Sequence, residues 1–226
     1  MDFNDIVDSI SIKPYYLDRE AGQVIYCADC RDILPLIPDK SIDLVLTDPP
    51  YGVGIDFGIY QDTPQNWRDL MLWSIPELNR ISQCVIMPCS RIVELPFIYA
   101  NFPPDWLLCW YKGATPQRAY VGFNDWEPHL VYGKVKGTQY HDYFLAIPEP
   151  RKNGGHPTPK PNKWGLLILS KASLSGNLIL DPFLGSGTTT YCAKKLGRKC
   201  IGIEIEEKYC EIATKRLSQS VMRLEV

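Results

Sequence analysis

Hydrophobic positions along the chain fall into short continuous runs separated by stretches of helical spacing. Residues 24–28, 41–47, 84–87, 106–111, 129–132, 178–180 and 200–203 read as strands, several of them apolar at nearly every position. Such runs suit strands buried on both faces. Residues 31–36, 67–81, 91–99, 162–172, 188–196 and 206–220 carry helical spacing, with a kink expected at Pro76, which cannot donate to the helix ladder. Two segments lack a clear period: residues 52–66, which bear glycine, and the polar stretch 133–155. Strands alternating with helices predict an α/β protein with a single doubly wound, mostly parallel sheet and an antiparallel edge strand. Ligands of such sheets sit at the carboxyl ends of the strands, where Asp29, Asp48, Asp181 and Glu204 stand.

Composition narrows the class. With 226 residues, 45% hydrophobic and 22% charged, residues 1–226 are expected to form one domain with an ample core. No apolar run approaches the ~20 residues needed to cross a bilayer, and the acidic start Met1-Asp2-Phe3-Asn4-Asp5 is unlike a signal peptide. A cytoplasmic location is expected, with the 8 cysteines as reduced thiols. A formal charge of -2 argues against indiscriminate coating of nucleic acid. Between Lys134 and Lys171, however, seven basic residues (Lys134, Lys136, Arg151, Lys152, Lys160, Lys163, Lys171) meet only two acids, Asp142 and Glu149. That surplus is either a phosphate-facing surface or an ordinary solvated face.

Two motifs carry chemistry. Asp181-Pro182-Phe183-Leu184-Gly185-Ser186-Gly187-Thr188-Thr189 joins a strand to a helix. Its glycines permit a tight turn and close backbone approach, and the helix start offers free N–H groups. It lacks the Gly-Lys-Ser/Thr ending of a P-loop, and Thr190 stands where a dinucleotide fingerprint has its third glycine. Glu204, 17 residues after Gly187, ends the next strand, as an acid binding ribose hydroxyls does. Asp48-Pro49-Pro50-Tyr51 ends an earlier strand. Asp48 and the Pro49 carbonyl, held by the rigid Pro49-Pro50 backbone, suit the two hydrogens of an exocyclic amine, and Tyr51 suits a stacked base. Cys27-x-x-Cys30 has no second close pair, so no metal is expected.

Taken in this order, the motifs resemble the circularly permuted beta class of S-adenosylmethionine-dependent DNA amino-methyltransferases. Further matches are Ala28-Asp29-Cys30, His156-Pro157-Thr158-Pro159-Lys160-Pro161 and Gly197-Arg198-Lys199-Cys200-Ile201-Gly202-Ile203-Glu204, followed by Tyr209, Ala213 and Arg216. The resemblance implies a permuted Rossmann-like fold, S-adenosylmethionine as cofactor and DNA as partner. Catalysis then falls to Asp48, Pro49, Pro50 and Tyr51. Asp29 would bond the cofactor's adenine amine and Glu204 its ribose. Asp181, Phe183, Gly185, Ser186, Gly187 and Thr188 would hold its methionine part, with Lys160 near the carboxylate. It further implies methylation of adenine N6, as in restriction-modification, with the base flipped out of the duplex; cytosine N4 is the nearest rival. An NAD-type oxidoreductase is disfavoured by Thr190, and an inactive DNA-binding module by the intact Asp48 and Tyr51. Family members commonly carry a larger target-recognition insert where this chain has only residues 134–155. Base reading is then short, shared with a second copy in a homodimer, or delegated to residues 52–66.

Overall fold

The computed structural model describes residues 2–89, 94–115, 118, 122–135, 141–148 and 157–219. Their strands are β1 (Tyr16–Asp18), β2 (Gln23–Cys27), β3 (Leu44–Leu46), β4 (Cys84–Pro88), β5 (Trp106–Tyr111), β6 (Trp126–Gly133), β7 (Tyr143–Leu145), β8 (Leu178–Asp181) and β9 (Lys199–Glu204). Their helices are α1 (Phe3–Ser9), α2 (Cys30–Ile33), α3 (Pro64–Ile81), α4 (Leu95–Asn101), α5 (Asn162–Ala172), α6 (Thr188–Lys195) and α7 (Glu207–Ser218), with a 3-10 turn at Leu34–Leu36.

The strands form one sheet in the order β1-β2-β9-β8-β3-β4-β6-β5-β7. The five strands from β2 to β4 are mutually parallel. An antiparallel strand closes one edge, as expected, but it is β1, which lies outside the runs read as strands, while β6 is a second antiparallel strand inside the sheet, between β4 and β5. Strand β7, parallel to β5, lies within the stretch read from sequence as unpatterned, so part of that insert completes the sheet edge.

Two apolar layers cover the sheet. Val24, Tyr26, Val45, Val85 and Leu180 face α1 and α3, whereas Leu44, Leu46, Ile86, Ile179 and Cys200 face α5 and α6. Ile25 packs on α7 through Cys210, Ala213 and Leu217. Alternate residues of one strand thus serve both layers, which is why the central runs are apolar throughout. Helix α3 starts with Pro64 in its first turn, capped by the Thr63 hydroxyl, and continues through Pro76. Pro76 is exposed, so water can take the place of the donor it lacks. Antiparallel β6 is fastened to α5 where Trp164 Nε1 donates to His129 Nε2 at 2.7 Å. Burial pushes the His129 pKa down to about 3, which keeps the imidazole neutral. Among the described residues, no helix is long and apolar enough to cross a membrane.

Candidate active site at the carboxyl ends of the strands

From the middle of the sheet the strands proceed outward in two directions, β8 to β9 and β2 on one side and β3 to β4 on the other. That divergence opens a crevice at the carboxyl ends. A cavity of about 680 Å³ lies there, well within the size of small-molecule sites. All the sequence-predicted site residues line it except Gly187.

On the β8 side, the glycine turn is built by hydrogen bonds from neighbouring strands. Leu184 N donates to Ile203 O at 2.9 Å, and Gly185 N donates to Glu204 Oε2 at 2.7 Å. Glu204 Oε1 accepts from Glu206 N at 2.9 Å. Burial raises the Glu204 pKa against these backbone donors. Arg216, from α7, staples the turn to α5: its guanidinium donates to Ser186 O at 2.8 Å and to Asn162 Oδ1 at 2.6 Å. Asp29 caps α2 by accepting from Arg31 N, and the Arg31 guanidinium grips both its oxygens, holding its carboxyl below the ordinary range. Each Glu204 oxygen accepts once and keeps a lone pair for a ligand hydroxyl, whereas each Asp29 oxygen already accepts twice from Arg31, so a ligand amine there would share the carboxylate with that arginine. Asp181 is 3% exposed. Burial raises its pKa to about 7, although the Thr47 hydroxyl (2.6 Å) and Phe183 N (3.1 Å) donate to Oδ1.

Gly187 requires a correction of its expected role. It sits behind the cavity wall with φ +81°, and a Cβ there would lie 2.7 Å from Ala213 Cβ and 2.9 Å from Ala213 Cα. The close approach that this glycine permits in the structure is that of helix α7.

On the β3 side, Asp48 is engaged. Its Oδ1 accepts from the Tyr51 hydroxyl at 2.6 Å and from Lys160 Nζ at 2.9 Å. Lys160 Nζ also donates to Tyr51 Oη at 3.1 Å, and lies 3.7 Å from Glu127, which faces Lys112 at 3.8 Å. Burial would lower the Lys160 pKa, but Asp48 and Glu127 outweigh it and hold the pKa above normal. Burial, reinforced by the same two carboxylates, raises Tyr51 well above its ordinary value, so the phenol stays a donor. Lys160, expected near the cofactor carboxylate, is therefore placed against Asp48. The Tyr51 hydroxyl, which a stacking role leaves idle, is used.

The stretch after Tyr51 roofs the cavity through Phe57, Ile59, Tyr60 and Gln61. Asp62 shapes it, accepting from Gly52 N at 2.6 Å and from Val53 N and Ile55 N at 3.1 Å. Glu206 accepts from Ile59 N. It passes so close to Gly58 that any Cβ there would collide with its carboxylate. Asp62, Glu127, Glu206 and Arg216 lie outside the predicted site set, because each acts across a distance in sequence; only Arg216 carried a hint, as a family match.

The basic surplus is partly dispersed. Lys134 and Lys163 are exposed, but Lys160 is inside the site and Lys171 donates to His141 O and Tyr143 O. Lys136, Arg151, Lys152 and His156 lie outside the described residues, as does much of 134–155. No group of three or more His, Cys, Asp or Glu among the described residues could hold a metal ion.

Sheet order, late-coming central strand β8 and a cavity at the switch point define a permuted methyltransferase fold. Comparisons agree. The DNA methylase family of the N6 and N4 type matches residues 110–215. The type II methyltransferase M.HpaI of Haemophilus parainfluenzae is 26% identical over 234 residues, covering 86% of this chain and 74% of its own. Among solved structures, the cytosine-N4-specific PvuII DNA methyltransferase superposes with a TM-score of 0.74 at 16% identity, covering 94% of this chain and 92% of its own. The complex of M1.HpyAVI with S-adenosylmethionine gives 0.65 at 25% identity, covering 87% and 99%. The chain is thus similar, across most of its length, to the DNA amino-methyltransferases its motifs resemble.

Proposed function

We propose that this chain is a DNA methyltransferase that transfers the methyl group of S-adenosylmethionine to N6 of adenine. The observation that carries the reading is Asp48: one carboxylate oxygen anchored, the other without a partner among the described residues, at the wall of a nucleoside-sized cavity. The donor set fits the cofactor, with acids at the ends of β2 and β9 for its adenine and ribose and the turn at residues 182–188 for its methionine part. When bound, it supplies an electrophilic methyl group. An aromatic amine is a weak nucleophile because its lone pair is delocalised. Acceptors at Asp48 and the Pro49 carbonyl draw on its hydrogens and favour a pyramidal nitrogen aimed across the cavity. The base must leave the duplex to reach them, and the Tyr51 ring offsets part of the unstacking cost.

Incubation of unmethylated DNA with protein and cofactor, followed by digestion to nucleosides and mass spectrometry, tests the reading. N6-methyladenine is the expected product. N4-methylcytosine would move the assignment to the cytosine class, and no methylated base would overturn it.

Asp181 gives a pH prediction. With its folded-state carboxyl raised to about 7, bringing the cationic methionine part beside it favours the carboxylate and releases a proton. Cofactor affinity should therefore strengthen as pH rises from about 5.5 to 7 and level off above, as linkage requires. The stability of the unliganded protein should follow the opposite trend: a raised carboxyl favours folding below its unfolded pKa, and that contribution is lost as pH climbs through 7. Asp181→Asn should flatten both dependences. Calorimetry across this range checks the first, and an affinity independent of pH would remove Asp181 from the cofactor site.

A further inference from the structure

The chain spends two cations and a second carboxylate around Asp48, more than the acceptor role of that residue requires. Lys160 Nζ reaches Asp48 Oδ1 at 2.9 Å and Tyr51 Oη at 3.1 Å. The tyrosine oxygen accepts from Lys160, and its single proton has two carboxylate acceptors, of which Asp48 Oδ1 at 2.6 Å is much nearer than Glu127 Oε1 at 3.3 Å and takes it. Two donors thus fix one oxygen, and Oδ2 has no partner among the described residues. Glu127, brought in by antiparallel β6, lies 3.3 Å from Tyr51 Oη and 3.7 Å from Lys160 Nζ, so it touches both donors. Lys112 stands behind it at 3.8 Å, which leaves two positive and two negative groups. The side chains of Lys160, Asp48 and Glu127 are only 11%, 18% and 20% exposed. Pairings at that depth are weakly screened and geometrically selective.

We propose that Glu127 and Lys160 are positioning residues for methyl transfer: together they hold Tyr51 and Oδ1 of Asp48 so that Oδ2 alone meets the target amine. Without the Glu127 charge, Lys160 has one carboxylate left to satisfy it and is drawn across both Asp48 oxygens, competing with the amine. This inference rests on the amine-transfer reading above. It also assigns Lys160 to the target side of the cavity and not to the cofactor's carboxylate.

The test compares single-turnover methylation of DNA with calorimetric binding of S-adenosylmethionine for wild type, E127Q, E127A and K160M. Glu127→Gln keeps shape and an acceptor while removing the charge, and should slow transfer about tenfold; Glu127→Ala should slow it about a hundredfold. Cofactor Kd and urea midpoint should stay within about twofold and experimental error of wild type, respectively, for both. Lys160→Met should lower the rate about a hundredfold with Kd changed less than threefold; if it fails to fold, K160Q reads the same split. Transfer by E127Q and E127A within twofold of wild type would overturn the role of Glu127. A Kd that weakens tenfold in the lysine variant, with a normal rate at saturating cofactor, would return Lys160 to the cofactor. A wild type that binds cofactor but modifies no DNA would defeat the amine-transfer reading and this inference with it, an outcome distinct from active but unaffected variants.

Discussion

Alanine at Asp48 is expected to reduce single-turnover methylation by about three orders of magnitude or more, the scale seen when a preorganised partner of the reacting atoms is removed. Affinity for S-adenosylmethionine should change no more than severalfold. Asp48 closes the cavity on the β3 side, whereas the acids suited to the cofactor end β2, β8 and β9. The variant also leaves Lys160 with Glu127 alone, at 3.7 Å. Part of the rate loss is therefore indirect, and a double variant with K160M should fall short of the product of the two single effects. Labelled-methyl transfer and calorimetry measure the two quantities separately. A matching collapse of cofactor binding would mean that Asp48 holds the cofactor.

Valine at Gly187 is expected to destabilise the fold strongly, not merely to exclude a ligand. A β-branched residue at φ +81° is strained by ~1–3 kcal/mol, and overpacking typically adds ~1–3 kcal/mol more. Here the collision is with the backbone of Ala213 at 2.9 Å as well as its methyl. Against a usual total stability of about 5–15 kcal/mol, that is a large fraction. Urea unfolding should show a sharply lowered midpoint, with loss of cofactor binding following from displacement of α7 and of the turn that Arg216 ties to it. The milder Gly187→Ala variant should regain part of its stability when Ala213→Gly is added, because the methyl contact disappears while the contact to Cα remains. A wild-type midpoint for Gly187→Val would refute the packing account.

Local chemistry explains what could be read from the chain and what could not. Asn162–Ala172 coincides with its predicted limits because burial imposes its pattern directly, and Trp106–Tyr111 does so through its run of strand-favouring apolar and aromatic residues, of which only Trp110 is buried. Strand β7 escaped although Tyr143-Phe144-Leu145 opens a short apolar run that continues to Ile147, because the polar, glycine-bearing stretch around that run obscures it; the strand forms by pairing with β5. Strand β1 is equally short. Helix α1 is held by a reciprocal Asp2–Asp5 cap, a capping box with aspartate at both the N-cap and the third helical position. Strand direction has no local signature, so the antiparallel course of β6 inside the sheet could not be foreseen. Within the site, the residues found from sequence belong to short contiguous motifs, at residues 28–30, 48–51, 156–161, 181–189 and 197–204. Glu127 lies 76 positions from Tyr51, and Arg216 lies 30 from Ser186; only the fold brings such pairs together. The fate of Lys160 shows the converse. A family motif located the residue near the cavity but not the partner it would choose once buried between two carboxylates.

The roof formed by residues 52–62 has a thermodynamic consequence. It continues directly from Tyr51, is gathered by one carboxylate, Asp62, and is tied at Ile59 to Glu206, two positions beyond Glu204. The wall offered to the target base and the cover over the other ligand are therefore one piece of chain. Were ligand binding to order that piece further, the two ligands would share the cost, and whichever bound first would spare the second part of it. Such cooperativity would be mutual: whatever factor the cofactor added to the grip on a target base, the base would add to the grip on the cofactor.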